Sequence, residues 1–320
     1  MTKIEIAKEE LKKKGFKIKM ASELKEEKKL QTGIFILDYV LDGGIYQGEG
    51  GHRLEFYGKE SSGKTTVTLH IIKKYQELGK KCIYINAENS YDKDWSTRIG
   101  VDNTKLELAY PESLEEAGDM LVEFIPKYDL IIVDSIPSLI TMEELDGTLE
   151  ENKYMASQAK VLSPMMRKLY SAIQEHFTTI IFINQMREKV GIAYGNPNIT
   201  PGGRALKHYY NTRIEFRLGQ AIEEGVKEAK ERIGYEMLIR CEKNKRGKPY
   251  RTGLVDFYFD GRLDNKKSLL YSAIKYGIIL QNGPMYTYNE SKFKGKDTLL
   301  TELTNKDWGK IEKELWTRIK

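Results

Sequence analysis

The run RLEFYGKESSGKTTVTLHIIKKYQELG, Arg53 to Gly79, constrains the fold more than any other part of the chain. It opens as an apolar strand, passes through GKESSGKT, and continues as a helix that stops at Gly79. The octet Gly58 to Thr65 fits the spacing G-x-x-x-x-G-K-[ST]. Glycines let the backbone curl until successive N–H groups converge, and the dipole of the following helix adds positive potential at the same place. The matching ligand is a nucleotide polyphosphate. Gly58, Glu60, Ser61, Ser62, Gly63, Lys64, Thr65 and Thr66 form the expected binding set. Lys64 supplies a point charge to the β- and γ-phosphates, and Thr65 a hydroxyl for Mg²⁺. A glycine turn in an ordinary crossover could carry the same letters; the strand before it and the helix after it favour the nucleotide site.

The same alternation continues along the chain. KCIYINA, LELAY, DLIIVDS and TTIIFINQ read as strands, and SLEEAGDMLVEFIPKY and SPMMRKLYSAIQEHF as helices between them. Ser113 and Glu116 are spaced as a capping box. After Arg204, the runs TRIEFRL, YEMLIRCEKN and TGLVDFYFD are β-rich and separated by turn residues. The fold class is therefore α/β, with a mainly parallel central sheet covered by helices and extended by antiparallel strands. From about Asn265 the texture changes to a small α+β lobe. The expected division is an arm at 1–31, a core at 32–264 and a lobe at 265–320. The arm holds ten lysines and six glutamates, with Ile4, Ala7 and Leu11 on one helical face. It suits either a surface helix or an arm that docks on a neighbouring subunit.

Composition removes several classes. Hydrophobic residues make up 40% and charged residues 31%, which is a globular balance. No apolar run approaches the roughly 20 residues needed to span a bilayer, and the N-terminus lacks the apolar block of a secretory signal. No membrane association is expected. Cys82 and Cys241 lie far apart in apolar contexts, as buried thiols of a reducing cytoplasm do. The net charge of +5 permits nucleic-acid binding without arguing for it.

Two carboxylates close strands on the expected ligand edge. Asp134 ends LIIVD and can hold the water shell of Mg²⁺, or serve as a turn aspartate. Glu88 closes YINAE and can orient and deprotonate an attacking water, or be a surface acid. Asp92 and Trp95 follow; Trp95 offers a flat face to an adenine ring, or a core side chain. Beyond TTIIFI comes a stretch of about nineteen residues, Gln185–Gly203, with four glycines, two prolines and the cations Arg187 and Lys189. Compact domains rarely keep so long a loop without a function.

Taken in order, GKESSGKTT, INAENSYDKDW, IIVDS, FINQMREKVGIAYGNPNITPGGRALKHYYNTRIEFR and EKNKRGKP resemble the RecA family of DNA recombinases, from about Thr32 to the C-terminus. The resemblance implies a P-loop RecA-type ATPase core with a short N-terminal helical arm and a small C-terminal lobe. It implies ATP and Mg²⁺ as cofactors, single-stranded and double-stranded DNA as partners, and a helical homo-oligomeric filament with ATP at the subunit interface. Glu88, Lys64 and Gln185 become the catalytic set, Gln185 sensing the γ-phosphate at the root of the loop. Asp92 and Trp95 become adenine contacts, Thr65 and Asp134 the metal residues. Lys243 and Lys245 reach the γ-phosphate of the next protomer, although hairpin charges would look the same.

The resemblance also makes Gln185–Gly203 a loop that grips single-stranded DNA. Arg187 and Lys189 suit phosphates, Val190 a wedge between bases, and Gly202 and Gly203 close backbone approach to the strand. Arg204 is an added cation. Met155, Lys160 and Arg167 fall where the family's first DNA loop makes contacts. The chain departs from the family at Lys59, Asn86, Asn89, Arg204 and His208, the last replacing an interface phenylalanine. Two other functions share the phosphate loop: a hexameric motor of the same fold, and a DNA-binding filament or mediator that uses ATP only as a switch.

Overall fold

The computed structural model of the chain describes residues 3–16, 18, 20–23, 28–147, 154–188, 198–199, 203–226 and 229–319. It opens with α1 (Lys3–Lys13), β1 (Lys28–Leu30), α2 (Phe35–Val40) and β2 (Ile45–Gln47), where β1 and β2 pair antiparallel. The core follows as β3 (His52–Gly58), α3 (Lys64–Glu77), β4 (Cys82–Asn86), α4 (Lys93–Ile99), β5 (Leu106–Ala109), α5 (Leu114–Phe124) and β6 (Leu130–Asp134). Then come α6 (Met142–Asp146), α7 (Tyr154–Ala172), β7 (Thr179–Gln185), β8 (Arg187–Glu188), β9 (Asn198–Ile199) and α8 (Gly203–Tyr209). A meander, β10 (Thr212–Glu224), β11 (Glu231–Asn244), β12 (Thr252–Tyr258) and β13 (Leu263–Asp264), leads to α9 (Lys266–Lys275). The chain ends in β14 (Leu280–Asn282), β15 (Met285–Tyr288), β16 (Ser291–Lys294), α10 (Lys296–Glu302) and α11 (Asn305–Ile319).

Among the described residues, nine strands form the central sheet in the order β13-β12-β11-β10-β3-β7-β6-β4-β5. From β10 to β5 every neighbouring pair is parallel; from β10 to β13 every pair is antiparallel. The strands are apolar on both faces because both faces are covered. Leu130, Ile132, Ile181 and Ile183 pack into one core with α2, α3 and the C-terminal helices, while Ile131, Val133, Ile180 and Phe182 pack into a second with α5 and α7. Both cysteines are buried free thiols, and burial pushes Cys82 up to about 12 and Cys241 to about 11. Among the described residues, no helix is long and apolar enough to cross a membrane.

Three local details differ from the sequence reading. The helix expected from Ser163 begins at Tyr154 and carries Pro164 inside it. A proline costs a helix one hydrogen bond, but Leu162, Met165, Met166 and Leu169 bury one face of α7 against α5, and that packing outweighs the loss. The α5 cap is staggered: Ser113 Oγ accepts from Glu116 N–H at 3.1 Å, whereas the Glu116 carboxylate accepts from the N–H of Glu112 at 2.7 Å. The long loop after β7 is not wholly irregular. Arg187 and Glu188 pair antiparallel with Ile199 and Asn198, closing its base as a short ladder.

Candidate functional site

Adjacent parallel strands end on one edge, and the candidate residues sit on those ends. Gly58 closes β3 opposite Gln185 of β7, and Asn86 closes β4 opposite Asp134 of β6. The turn after β3 is built from close approaches. A Cβ on Gly58 would lie 2.2 Å from the Phe216 carbonyl oxygen, and one on Gly63 2.1 Å from Met237 Cε. Gly63 also has φ of 86°, in the left-handed region that favours glycine. It is the N-cap of α3 and makes no side-chain cap, so the first-turn N–H groups are left for another acceptor.

Lys64 is folded back on this turn. Its Nζ donates to the carbonyls of Lys59 (2.8 Å) and Gly58 (3.3 Å) and to Ser62 Oγ (3.4 Å). Burial pulls its ammonium below the usual lysine range, while Asp134, Glu88 and Glu60 oppose that shift. Such a cation gains by meeting an anion. Thr65 Oγ1 donates to Asp134 Oδ2 at 3.1 Å, and Tyr84 donates its hydroxyl proton to the same oxygen at 2.5 Å. Burial raises the Asp134 carboxyl above its ordinary range even against these two hydrogen bonds. Hard oxygen donors at this spacing, one of them a desolvated carboxylate, suit Mg²⁺.

Glu88 is tied to the ends of β6 and β7. The N–H groups of Ala87 and Glu88 donate to the Asp134 carbonyl at 2.8 and 3.2 Å. Glu88 Oε1 accepts from Ser135 Oγ (2.8 Å), Ser138 Oγ (3.0 Å) and Gln185 Nε2 (2.8 Å). The carboxylate expected to activate water is therefore hydrogen-bonded directly to the residue at the root of the long loop. Ser135 and Ser138 were not singled out from the sequence; their spacing in DSIPS after an apolar strand was the available signal. Asn86 Oδ1 accepts from Ser90 N–H at 3.1 Å, which fixes the turn beyond Glu88.

Asp92 caps α4 by accepting from Trp95 N–H at 2.9 Å. Trp95 is half-buried against the first core. Its ring lies beside Gly261, and the Arg98 guanidinium is 5.7 Å from the ring centroid. Lys160 and Arg167 are exposed on α7, and the backbone of Met155 lies in the same helix. Arg187 opens the short ladder of the loop, and Gly203 and Arg204 begin α8. Lys189, Val190 and Gly202 lie outside the described residues.

Lys243 and Lys245 hold the far end of α8. Lys243 Nζ donates to the carbonyls of Lys207 (2.5 Å) and His208 (3.3 Å), and Lys245 Nζ donates to that of His208 at 3.5 Å. Lysines suit such C-terminal carbonyls. Desolvation, Lys245 and Arg213 together lower Lys243 to about 8. The resting place of these two cations is therefore within their own chain, on the helix that follows the loop.

The family model described as RecA N-terminal domain matches residues 3–264. The chain is 38% identical over 265 residues to Protein RecA of Lactococcus lactis subsp. cremoris (strain MG1363), covering 82% of this chain and 68% of that protein. It is 34% identical over 322 residues to Protein RecA of Malacoplasma penetrans (strain HF-2), covering 99% and 96%. With Protein RecA of Mesomycoplasma hyopneumoniae (strain 7448) it shares 36% identity over 276 residues, 84% of this chain and 80% of that protein.

Proposed function

The chain belongs to the RecA family, and from that premise we propose that it is an ATP-dependent DNA recombinase. It polymerises with ATP between protomers, forms a helical filament on single-stranded DNA, pairs that strand with homologous duplex DNA and exchanges strands. Residues 1–31 serve as the oligomerisation arm, 32–264 as the ATPase and DNA-binding core, and 265–320 as the C-terminal lobe. The observation that carries the reading is the 2.8 Å hydrogen bond from Gln185 to Glu88, which joins the hydrolytic carboxylate to the DNA loop.

In this mechanism Lys64 leaves the carbonyls of Gly58 and Lys59 for the β- and γ-phosphates, together with the N–H groups at the start of α3. Thr65 and Asp134 would hold Mg²⁺, which when bound would supply neutralising charge to the phosphate oxygens. Glu88 accepts the proton of the attacking water as its oxygen bonds to the γ-phosphorus and the bond to the leaving ADP oxygen breaks. Gln185 can donate its amide either to Glu88 or to phosphate, so the loop beyond it responds to the nucleotide state. Arg187, Lys189 and the glycines grip the DNA backbone without reading bases, as pairing requires.

The test is ATP hydrolysis with and without single-stranded DNA. Strong stimulation supports the reading; absence of stimulation with ATP still bound refutes it. Lys64→Ala should abolish ATP binding in an equilibrium titration with a fluorescent ATP analogue, and undiminished affinity would remove the phosphate-loop assignment. Arg187→Ala should weaken binding to oligonucleotides of different sequence about equally, and reduce the slope of log K against log salt by about 1. A sequence-selective loss would contradict a phosphate contact.

A further inference from the structure

A continuous set of polar groups, buried at Glu55, Asn184 and Arg213 and half-exposed at Glu242, crosses four strands between Lys243 and Gln185. In the pairing of β10 with β11, Arg213 faces Lys243 and Ile214 faces Cys241, so Glu242 is the extra residue of a β-bulge. Bulges interrupt the alternation of a strand and re-aim the side chains beside them. Here the Glu242 carboxylate accepts from Arg213 Nη1 and, at 2.6 Å, from the Tyr57 hydroxyl. Arg213 Nε donates to Glu55 Oε2, and the other oxygen of Glu55 accepts from Asn184 Nδ2 at 2.8 Å. Asn184 immediately precedes Gln185. Glu55 and Asn184 are fully buried, and Arg213 is 5% exposed.

We propose that Arg213 is a positioning residue that, with Glu55 and Glu242, fixes the aim of Lys243 and keeps it in register with Gln185. The inference rests on the assignment of Lys243 to a neighbouring protomer's γ-phosphate, and it goes beyond that assignment. Lys243 and Lys245 repel each other, yet both converge on the His208 carbonyl. Arg213 adds to that repulsion and Glu55 opposes it, so what the Glu55–Arg213–Glu242 triad supplies is position. The triad is held in place: one guanidinium bridges two carboxylates, and its Cζ lies 4.6 Å from the Tyr57 ring centroid. A fork of this geometry sets direction as well as charge. Displacing β11 against β10 would therefore break the Arg213–Glu242 pair and shift Lys243 relative to Gln185.

The experiment measures kcat and KM for ATP at saturating single-stranded DNA, with thermal melting of each variant. Wild type is compared with Lys243→Ala, Glu242→Gln, the double variant Glu242→Gln/Lys243→Ala, and Glu55→Gln/Arg213→Met. The last removes the buried pair together, so no lone charge is left inside. Glu242→Gln should lower kcat by about 10- to 100-fold through misaim alone, with KM and melting midpoint near wild type. Glu55→Gln/Arg213→Met should show the same loss in kcat. Adding Glu242→Gln to Lys243→Ala should cost nothing further, because both act through one cation. Unchanged kcat in Glu242→Gln and in Glu55→Gln/Arg213→Met overturns the inference, as does a loss expressed only in KM or in melting. Independent, multiplicative losses in the double variant overturn it too. If wild type is not stimulated by DNA, or Lys243→Ala leaves stimulation intact, the underlying reading fails and this inference falls with it.

Discussion

Glu88→Gln is expected to lower DNA-stimulated ATP turnover by about 10²- to 10⁴-fold, the range lost when a positioned general base is removed. The substitution is close to isosteric. The glutamine oxygen can still accept from Gln185 Nε2 and from the hydroxyls of Ser135 and Ser138, which all converge on one oxygen of Glu88. The N–H groups of Ala87 and Glu88 keep their bonds to the Asp134 carbonyl, so the turn stays in place. What is lost is the ability to take a proton at neutral pH. ATP affinity should therefore remain near wild type, and DNA complexes formed with ATP should last longer. Steady-state hydrolysis and the dissociation of a labelled oligonucleotide check both halves. Normal turnover would mean another base; weakened ATP binding would mean that Glu88 has a structural part in the site.

The phosphate loop could be read from the sequence because everything that specifies it is local: a strand, a glycine turn and a helix within twenty-seven residues. Glu88 and Asp134 could be read because parallel strands put their C-terminal ends on one edge whatever their order. The bonds around them depend on that order. Ser135 and Ser138 reach Glu88 only because β6 lies beside β4, and Gln185 reaches it only because β7 lies beside β6. No residue pattern encodes that adjacency at close range. The bulge at Glu242 is a second case. A one-residue slip in a ladder has no composition of its own, so the burial of Arg213 between two carboxylates appears only in three dimensions. The early start of α7 fails for a different reason. Pro164 argues locally for a helix boundary, and the packing of Leu162 and Met165 against α5 decides otherwise.

Lys243→Ala is expected to lower DNA-stimulated hydrolysis by about 100-fold, below the ~10³ to 10⁵ of an arginine finger because an ammonium is a single point charge. The truncation should also weaken ATP-dependent filament assembly, while ATP binding to isolated protomers stays near wild type. The lysine's own titration gives a second, independent signature. In the free protomer Lys243 is lowered to about 8, first by desolvation and then by Lys245 and Arg213. An unfolded chain keeps the same proton to about 10.4. Between those values the unfolded state binds more protons, so this residue makes the isolated protomer more stable as pH rises through that window. Assembly runs the other way. A γ-phosphate raises the lysine's pKa again, so above about pH 8 each Lys243 that reaches a neighbour must take up a proton. ATP-dependent assembly should then weaken by up to about tenfold per pH unit. Light scattering or sedimentation across pH 7 to about 9.5, beside thermal melting of protomers without nucleotide, reads both slopes. Opposite slopes in wild type, both reduced in Lys243→Ala, follow from a cation that leaves the carbonyls of α8 for a neighbour's phosphate. Parallel slopes, or slopes unaltered by the substitution, would mean that Lys243 stays on Lys207 and His208 as a helix cap and takes no part across the interface.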